Sequence, residues 1–221
     1  MNGHIVQEHF RKLRERYPNV VLDFEKDKHF VRGELRFCAQ YQDNEIMDVA
    51  YTVEIELNAN YPNSAPKARE LKGEIPRTFH TFSDGTLCLG APLAIKEKFS
   101  ADPTLVGFVE NLLVPYLYTH KHLSQKSVLP YGELEHGAKG IMKYYMELFE
   151  VTESILVLNF LYLLAYEKVK GHLPCPCGGG AIIRKCHAPI LKKIQGFQTP
   201  REFEYELNYC YKYYETVRGR K

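Results

Sequence analysis

Residues 80–90 have the sequence HTFSDGTLCLG, and the predicted strands and helices lie on either side of this stretch. The stretch places Cys88 between two leucines, just after an Asp84-Gly85 pair. Asp-Gly followed by a short apolar run predicts a tight turn, because glycine reaches positive φ without a steric penalty from Cβ. A cysteine directly beyond such a turn has two interpretations. It is either a small buried hydrophobe, as most free cysteines are, or a thiol positioned for chemistry.

Upstream of this stretch, apolar and polar residues alternate in two runs that are joined by the turn Asp43-Asn44-Glu45. A period of two is typical of a strand with one buried face, so the runs predict an antiparallel pair. The apolar positions are Val31, Leu35, Phe37, Ala39 and Tyr41 in the first run and Val49, Tyr51, Val53, Ile55 and Leu57 in the second. Residues 67–75 predict a weaker third strand, with Leu71 and Ile75 facing inward.

Helical spacing flanks the predicted strands on both sides. The first helix ends before Pro18, and its apolar face carries Ile5, Val6, His9, Phe10, Leu13 and Tyr17. Beyond Cys88 we expect a loop to residue 102, then a helix with Asp102 as N-cap and Pro103 in its first position. Its apolar stripe consists of Leu105, Phe108, Val109, Leu112, Leu113, Tyr116 and Leu117, and Pro115 should kink or shorten it. An apolar helix that covers one face of a meander predicts an α+β fold.

The bulk composition excludes several classes of protein. The chain has 221 residues, of which 45% are hydrophobic and 25% charged, and its net charge is +2. This balance predicts neither a nucleic acid nor an anionic membrane as the main partner. The longest apolar run, Ile155–Tyr166, is shorter than the roughly 20 residues that span a bilayer, and the N-terminus has no signal-peptide pattern. We therefore expect a cytoplasmic protein whose cysteines serve catalysis or metal binding instead of disulfides.

A second group of cysteines has the spacing of a metal site. Cys175, Cys177, Cys186 and His187 form the pattern Cys-x-Cys-x8-Cys-His, with glycines at 178–180 that let the chain fold back. Three thiolates and one imidazole complete a tetrahedral zinc sphere and leave no open position, so the pattern predicts structural zinc. The alternative is a set of thiols without metal.

The apolar runs on either side of this group predict two helices, Ile155–Tyr166 and Pro200–Val217. Tyr205, Tyr209, Tyr213 and Tyr214 lie close to one stripe of the second helix, as core or as a partner-binding face, and we favour core. A further helix is expected over Ala138–Phe149, and Cys210 is expected to pack inside.

The order of features in residues 1–150 resembles the ubiquitin-conjugating enzyme family. The shared order is strand, Tyr61-Pro62-x-x-x-Pro66, strand, His80, Gly85-x-Leu-Cys88-Leu, loop and helix. In that family the cysteine carries a ubiquitin-like protein as a thioester and passes it to an amine. The resemblance therefore implies that the fold is UBC-like and that Cys88 is the acyl-carrying nucleophile of an acyltransferase.

The chain departs from the eukaryotic members at one motif. They carry His-Pro-Asn before the cysteine, and the asparagine supports the oxyanion or the loop, whereas this chain has His80-Thr81-Phe82. The oxyanion role would pass to backbone N–H groups near Cys88 or to the His80 side chain. Two roles stay equally open for His80, bracing of the loop and proton transfer. His136 is a weaker candidate, for which helix capping or solvent exposure is the favoured interpretation.

Two further resemblances are bacterial. The Cys-Pro-Cys-Gly start at Cys175 is similar to the SEC-C zinc motif, which implies that residues 151–221 form a helical zinc-binding extension. Residues 129–141 resemble the C-terminal part of bacterial members of the conjugating-enzyme family. A conjugating-enzyme-like domain without His-Pro-Asn, joined to a SEC-C-like tail, resembles the conjugating-enzyme-like proteins of CBASS anti-phage operons. The CBASS resemblance implies transfer of the C-terminal glycine of a cGAS-like nucleotidyltransferase to an amine such as an acceptor lysine, which primes cyclic-oligonucleotide signalling.

Two alternatives to this function remain open. One is a non-catalytic binding module with the same fold, and the other is a conjugating enzyme for a dedicated bacterial ubiquitin-like protein. The sequence contains no Gly-rich nucleotide loop after a strand, which predicts that another protein supplies the acyl group or that the system works without a separate activating enzyme.

Overall fold

The computed structural model describes residues 3–42, 45–130 and 137–219. The chain divides into two compact units, the first comprising Met1–Gly90 and Ala94–Glu133 and the second Ala91–Leu93 and Leu134–Lys221. This division falls before residue 150, the boundary that the family resemblance implies. Asp43 and Asn44 of the predicted turn and the candidate His136 lie outside the described residues.

A four-stranded antiparallel meander in the order β1-β2-β3-β4 forms the sheet of the first unit. Its strands are β1 Val20–Glu25, β2 Lys28–Ala39, β3 Met47–Leu57 and β4 Lys67–Glu70. The predicted α+β class and the β2–β3 pair are confirmed, and the register places Val31 opposite Ile55 and Leu35 opposite Tyr51. Burial alternates along β3 with the predicted period of two, so one face of the sheet is core.

Two details of the strand prediction were wrong. Strand β1 was missed because its side chains do not alternate in burial, and Val21 and Phe24 are exposed. Strand β4 ends at Glu70, earlier than predicted, and Leu71 is exposed instead of facing inward. The reason is local, because the Glu70 carboxylate accepts hydrogen bonds from the N–H groups of Lys72 and Glu74 and turns the chain away from the sheet.

Five helical segments belong wholly or partly to the first unit. They are α1 Gly3–Arg16, α2 Pro92–Ala101, α3 Leu105–Phe108, a π-helical turn Val109–Leu113 and α4 Val114–Lys126. Helix α2 lies where we expected only loop. The predicted apolar stripe over residues 105–117 is buried throughout, together with Val6 and Leu13 of α1.

The start of the helical stripe was misassigned. The N-cap of α3 is Thr104, whose Oγ1 accepts from the N–H of Gly107 at 2.9 Å. The expected cap, Asp102, instead accepts a hydrogen bond from the Thr104 hydroxyl at 2.8 Å. The effect predicted for Pro115 appears as the π-helical turn directly before it, since proline cannot donate to a regular α-helical ladder.

Helices dominate the second unit. They are α5 Gly137–Leu148, α6 Ser154–Tyr166, α7 Ala188–Gln195 and α8 Pro200–Arg218, with a 3₁₀ turn Ile183–Lys185 before α7. The predictions of α5, α6 and α8 are confirmed, and α7 was missed. The core contains Phe149 stacked on Phe160, with ring centroids 4.0 Å apart, and a hydrogen bond of 2.5 Å from the Tyr145 hydroxyl to Glu206.

The favoured interpretation of the α8 tyrosines was wrong for two of them. Tyr205 is 70% exposed and Tyr209 42%, because the helix buries a different stripe, made of Phe203, Glu206, Leu207 and Cys210. The expected packing of Cys210 is thereby confirmed. None of the helices in residues 3–42, 45–130 and 137–219 combines the length and the hydropathy that crossing a bilayer requires.

Candidate thiol site and candidate metal centre

The turn predicted from Asp84-Gly85 is confirmed and closes a small hairpin. Gly85 has φ of 81°, the left-handed conformation that favours glycine. The Asp84 carboxylate accepts from the N–H of Thr86 at 3.0 Å, and the N–H of Phe82 donates to the Thr86 carbonyl at 2.8 Å. Asp84 therefore has the turn-forming role that the sequence predicts.

This hairpin brings His80 and Cys88 side by side. The N–H of Cys88 donates to the carbonyl of His80 at 2.7 Å, and Thr81 pairs with Leu87 in an antiparallel bridge. The N–H of Leu87 also donates to the carbonyl of Ala68 at 2.8 Å, which ties the hairpin to strand β4. Main-chain hydrogen bonds thus fix the hairpin arm that carries Cys88 on both of its sides.

His80 occupies an unusual backbone conformation at the start of this arrangement. Its φ is 40°, a left-handed value that is uncommon for residues other than glycine. The residue is buried, and its ring packs edge-on against Phe79 with centroids 4.9 Å apart. Its carbonyl also accepts from the hydroxyl of Tyr116 at 3.2 Å. A conformation of this kind persists only where surrounding contacts hold it in place, and Tyr116 is one of them.

Tyr116 was treated in the sequence only as one member of an apolar stripe. In the structure its hydroxyl also donates to the Phe79 carbonyl at 3.0 Å, so one side chain of α4 holds two successive carbonyls of the hairpin. A tyrosine within an otherwise aliphatic stripe is a signal that could have indicated this role, because a buried hydroxyl needs a partner.

A second polar contact lies beneath Phe79 and was not predicted. His120 packs against the Phe79 ring at 5.0 Å and forms a hydrogen bond of 2.6 Å with the Tyr51 hydroxyl. Burial lowers the pKa of His120, so the ring is neutral at physiological pH. These residues brace the hairpin from the core side.

Cys88 is half-buried, so the residue keeps part of its surface in contact with solvent. Burial raises the pKa of the Cys88 thiol, and a backbone hydrogen bond with Gly90 opposes this only in part. The group is therefore a protonated thiol at neutral pH and reacts slowly with ordinary electrophiles. A thioester at the same position is uncharged, so burial does not disfavour it in the same way.

The structure brings all four predicted metal ligands together. The ligand atoms of Cys175, Cys177, Cys186 and His187 lie within 4.8 Å of one another, which makes a candidate metal centre. Cys177 Sγ lies 3.6 Å from Cys186 Sγ, far beyond the roughly 2.05 Å of a disulfide. His187 Nδ1 lies 3.2 Å from Cys175 Sγ and 3.0 Å from Cys186 Sγ.

These separations fit a single tetrahedral cation. Metal–sulfur bonds of about 2.3 Å at tetrahedral angles put neighbouring sulfurs roughly 3.8 Å apart. The other nitrogen of the histidine is already engaged, because His187 Nε2 lies 2.9 Å from the carbonyl of Phe149. Donation to that carbonyl leaves Nδ1 unprotonated and directed at the three sulfurs, the arrangement that metal-binding histidines use.

Local chain geometry explains why these ligands converge. The N–H of Cys175 donates to the Ala181 carbonyl at 2.9 Å, and Gly178 and Gly180 have φ of 76° and 75°. The glycines therefore reverse the chain as predicted, and the 3₁₀ turn Ile183–Lys185 carries it on to Cys186.

Electrostatics in this cluster favour a bound cation. Burial and the neighbouring thiols Cys177 and Cys175 raise the pKa of Cys186 to about 12. Thiolates this close repel one another, and a divalent cation at their centre reverses that repulsion and holds them deprotonated. The donor set of three sulfurs and one imidazole is one that zinc prefers.

Comparison of the chain with protein-family models, with curated proteins and with solved structures gave no match. The resemblances to conjugating enzymes and to the SEC-C motif therefore rest on the quoted motifs alone.

Proposed function

We propose that the first unit has a UBC-like fold and acts as a conjugating-enzyme-like acyltransferase, with Cys88 as the acyl carrier. The observation that carries the proposal is the placement of Cys88. The residue is only half-buried, while its backbone is fixed through the 2.7 Å bond to the His80 carbonyl. A thiol that exchanges acyl groups with two proteins needs both properties, access for the partners and a constant position.

The proposed reaction has two steps. In the first, the Cys88 sulfur attacks the carbonyl carbon of an activated acyl donor, a thioester or acyl-adenylate supplied by another protein. A C–S bond forms, the bond to the donor's leaving group breaks, and the thiol proton leaves with that group. In the second, an amine nitrogen of the acceptor forms a C–N bond, the C–S bond breaks and Cys88 departs with a proton derived from the amine.

The raised pKa of Cys88 is consistent with exchange between thioesters. A protonated thiol is protected from random alkylation and oxidation, and it reacts efficiently only when a partner presents an activated carbonyl at close range. The N–H groups of Leu87 and Cys88 are already bonded within the sheet and the hairpin. In place of the family asparagine, we therefore assign support of the oxyanion to the backbone N–H groups that follow Cys88 or to the His80 side chain.

The proposed acyl donor is the C-terminal tail of a cGAS-like nucleotidyltransferase, and the acceptors are protein lysines. In this role the enzyme would prime cyclic-oligonucleotide signalling in bacterial anti-phage defence. A dedicated ubiquitin-like protein as donor would use the same thiol and the same chemistry. Mass spectrometry of the trapped adduct distinguishes the two donors, because it reads the sequence of the attached tail.

For the second unit we propose a structural zinc ion held by Cys175, Cys177, Cys186 and His187. All four ligands come from the protein, so the ion has no open position for a substrate. Its role is to hold the glycine-rich segment closed, since this segment has little apolar core of its own.

Co-expression of the chain with a candidate donor tests the acyl-carrier proposal. We expect a band that joins the two proteins and disappears with thiol reductant in the wild type. Cys88→Ser should trap the adduct as an ester that resists reductant, and Cys88→Ala should abolish it. Cys38→Ala is the matched control, because Cys38 is the other cysteine of the first unit and is exposed.

Two outcomes would overturn the proposal. An adduct that persists in Cys88→Ala places the chemistry elsewhere. Stable co-purification of the two proteins without any covalent band, in both the wild type and Cys88→Ser, identifies the unit as a non-catalytic binding module.

A further inference from the structure

Positive charge is concentrated around the candidate metal centre of the second unit. Residues 168–200 contain six lysines and arginines and no aspartate or glutamate. The cations are Lys168, Lys170, Arg184, Lys185, Lys192 and Lys193. The near-neutral charge of the whole chain therefore conceals a strongly basic segment. A partner of this segment is selected by its local charge, because fields on a protein surface fall off within about 10 Å at moderate salt.

The first part of this segment exposes its cations. Lys168, Lys170 and His172 are exposed, whereas Val169 and Leu173 between and after them pack against the core of the second unit. The chain turns after Lys170, where the N–H of Leu173 donates to the Lys170 carbonyl at 3.1 Å. The apolar side chains therefore anchor this turn to the unit while the cations stay in contact with solvent.

Backbone pairing brings further cations to this strip. The N–H of Arg184 donates to the Gly171 carbonyl at 2.9 Å, and the N–H of Ile183 donates to the Leu173 carbonyl at 2.9 Å. Arg184 and Lys185 are exposed, and neither they nor Lys168 and Lys170 form a salt bridge to another of the described residues. We call Lys168, Lys170, Arg184 and Lys185 the basic strip.

Exposed aromatic rings lie at the start of the basic strip. Tyr162 and Tyr166, on the last turns of α6, are each 52% exposed, with ring centroids 5.3 Å apart. The Tyr166 hydroxyl donates to Glu204 at 3.0 Å, which fixes the side chain on the surface. Tyr166 precedes Lys168 by two residues, so a ring and the first cation of the strip are neighbours in the chain.

We propose that the basic strip and the two tyrosines bind single-stranded nucleic acid. A cluster of exposed cations binds a phosphate backbone, and exposed rings next to it stack on unpaired bases, which is how sequence-independent single-strand binders work. An acidic peptide would satisfy the cations but has no use for the rings. The site uses residues that the acyl-transfer proposal does not involve.

Fluorescence anisotropy with a labelled oligothymidylate tests the proposal on the full zinc-loaded chain. We expect binding whose affinity falls with salt, by a slope of about −0.7 in log K against log [salt] for each phosphate contacted. Lys168→Glu/Lys170→Glu should weaken binding at least about tenfold. The control Lys72→Glu/Arg77→Glu makes the same charge change at exposed positions of the first unit and should change binding less than about twofold.

A second pair of variants tests the rings independently. Tyr166→Ala should weaken binding at least about fivefold, and Tyr166→Phe, which keeps the ring and loses only the hydroxyl, should not. Tyr211→Ala is the control at a similarly exposed tyrosine. Circular dichroism and zinc content, unchanged in each variant, exclude unfolding as the cause.

Three results would overturn the proposal. The first is an absence of binding at about 50 mM salt, where electrostatic contacts are strong. The second is an equal loss in both charge-reversal pairs, which means that only net charge matters. The third is competition by polyglutamate as effective as that by unlabelled oligothymidylate, which identifies a general polyanion surface.

Discussion

The two units arrange their cysteines differently. Cys88 is fixed by main-chain hydrogen bonds of a hairpin that is itself bonded to β4 and to Tyr116 of α4. Cys175 and Cys186 also donate main-chain hydrogen bonds, to Ala181 and Ile183, but their sulfurs converge with that of Cys177 and with the His187 ring. The packed sheet gives the first arrangement its rigidity. The proposed zinc ion would add rigidity to the second through ligation, and that part of its order would be conditional on the metal.

The difference shows what each arrangement permits chemically. A thiol that is held only through its backbone has no ligand role, which is compatible with the covalent chemistry proposed for Cys88. Sulfurs that converge on one point would all be needed to complete the proposed zinc sphere. The surroundings of a cysteine thus indicate its use more directly than its sequence motif does.

The largest effect is expected from removal of the proposed zinc ion, because the second unit depends on it and the first does not. We expect Cys186→Ser, or treatment with a chelator, to lower the bound zinc from about one equivalent to less than half. The amide protons of residues 173–187 should lose their protection from hydrogen exchange, because thiolate repulsion then replaces ligation. Strands β2 and β3 should keep theirs. Metal analysis and hydrogen-exchange mass spectrometry measure the two effects.

Cys38→Ala is the control for this experiment, because it removes an exposed cysteine outside the cluster. Full protection of residues 173–187 in metal-free Cys186→Ser would show that packing alone holds the segment, and the proposed contrast between the units would fail.

A core truncation should damage the first unit and leave the metal in place. Phe108 is fully buried under the sheet, and its ring packs edge-on against Phe99 at 6.4 Å. We expect Phe108→Ala to lower the free energy of unfolding of this unit by about 3–5 kcal/mol, through lost burial and the cavity that remains. Urea denaturation followed by circular dichroism measures the loss, and zinc content should not change.

The matched control is Phe82→Ala, at a ring that is 55% exposed. Its effect should stay within about 0.5 kcal/mol. A loss of zinc in Phe108→Ala would contradict the view that each unit has its own source of rigidity.

Patterns that repeat along the sequence predicted most of this architecture. Strands β2 and β3 were readable because a half-buried strand must alternate, and the stripe over residues 105–117 because an amphipathic helix must repeat. Strand β1 has no clean alternation, and α7 is only a short helix between a ligand and a turn. Strand β1 is instead held by an antiparallel hairpin with β2, in which Glu25 lies opposite Lys28, and a tight turn of this kind is not recorded by apolar periodicity.

The same distinction applies to the candidate sites, whose local features were predicted and whose long-range contacts were not. The four metal ligands and the His80–Cys88 pair were predicted, because spacing and turn chemistry are local properties. Tyr116 was missed in its hydrogen-bonding role, since its partners at Phe79 and His80 lie more than thirty residues away. Which hydroxyl of a helix meets which carbonyl depends on how the helix sits on the sheet, and the sequence alone does not express that.

Deletion of the Tyr116 hydroxyl tests whether this side chain supports the hairpin that carries Cys88. Tyr116→Phe leaves the buried carbonyls of Phe79 and His80 with one partner fewer, and we expect a loss of about 1 kcal/mol in stability. Acyl transfer through Cys88 should slow, because His80 loses a contact that holds its left-handed conformation. Urea denaturation and the rate of thioester formation measure the two effects.

The matched control is Tyr118→Phe, two residues further along α4. Tyr118 is 2% exposed, and its hydroxyl has no hydrogen-bond partner among the described residues. Removal of that hydroxyl should therefore be neutral or slightly stabilising. Equal losses in the two variants would mean that the Tyr116 contacts do not support the hairpin.

The smallest expected effect concerns the pH dependence of Cys88. Because burial raises the pKa of this thiol, its thiolate fraction at pH 8 is below that of an ordinary cysteine, and the fraction increases as pH rises. Iodoacetamide, which reacts with thiolate, should therefore label Cys88 a few times more slowly than the exposed Cys38 at pH 8. The ratio of the two rates should approach one as pH increases. Peptide mass spectrometry measures labelling of both sites in the same sample, so differences in reagent concentration cancel.

Faster labelling of Cys88 than of Cys38 at pH 8 would contradict this expectation. It would mean that a nearby group activates the thiol, and the proposed mechanism would then need a general base at the site.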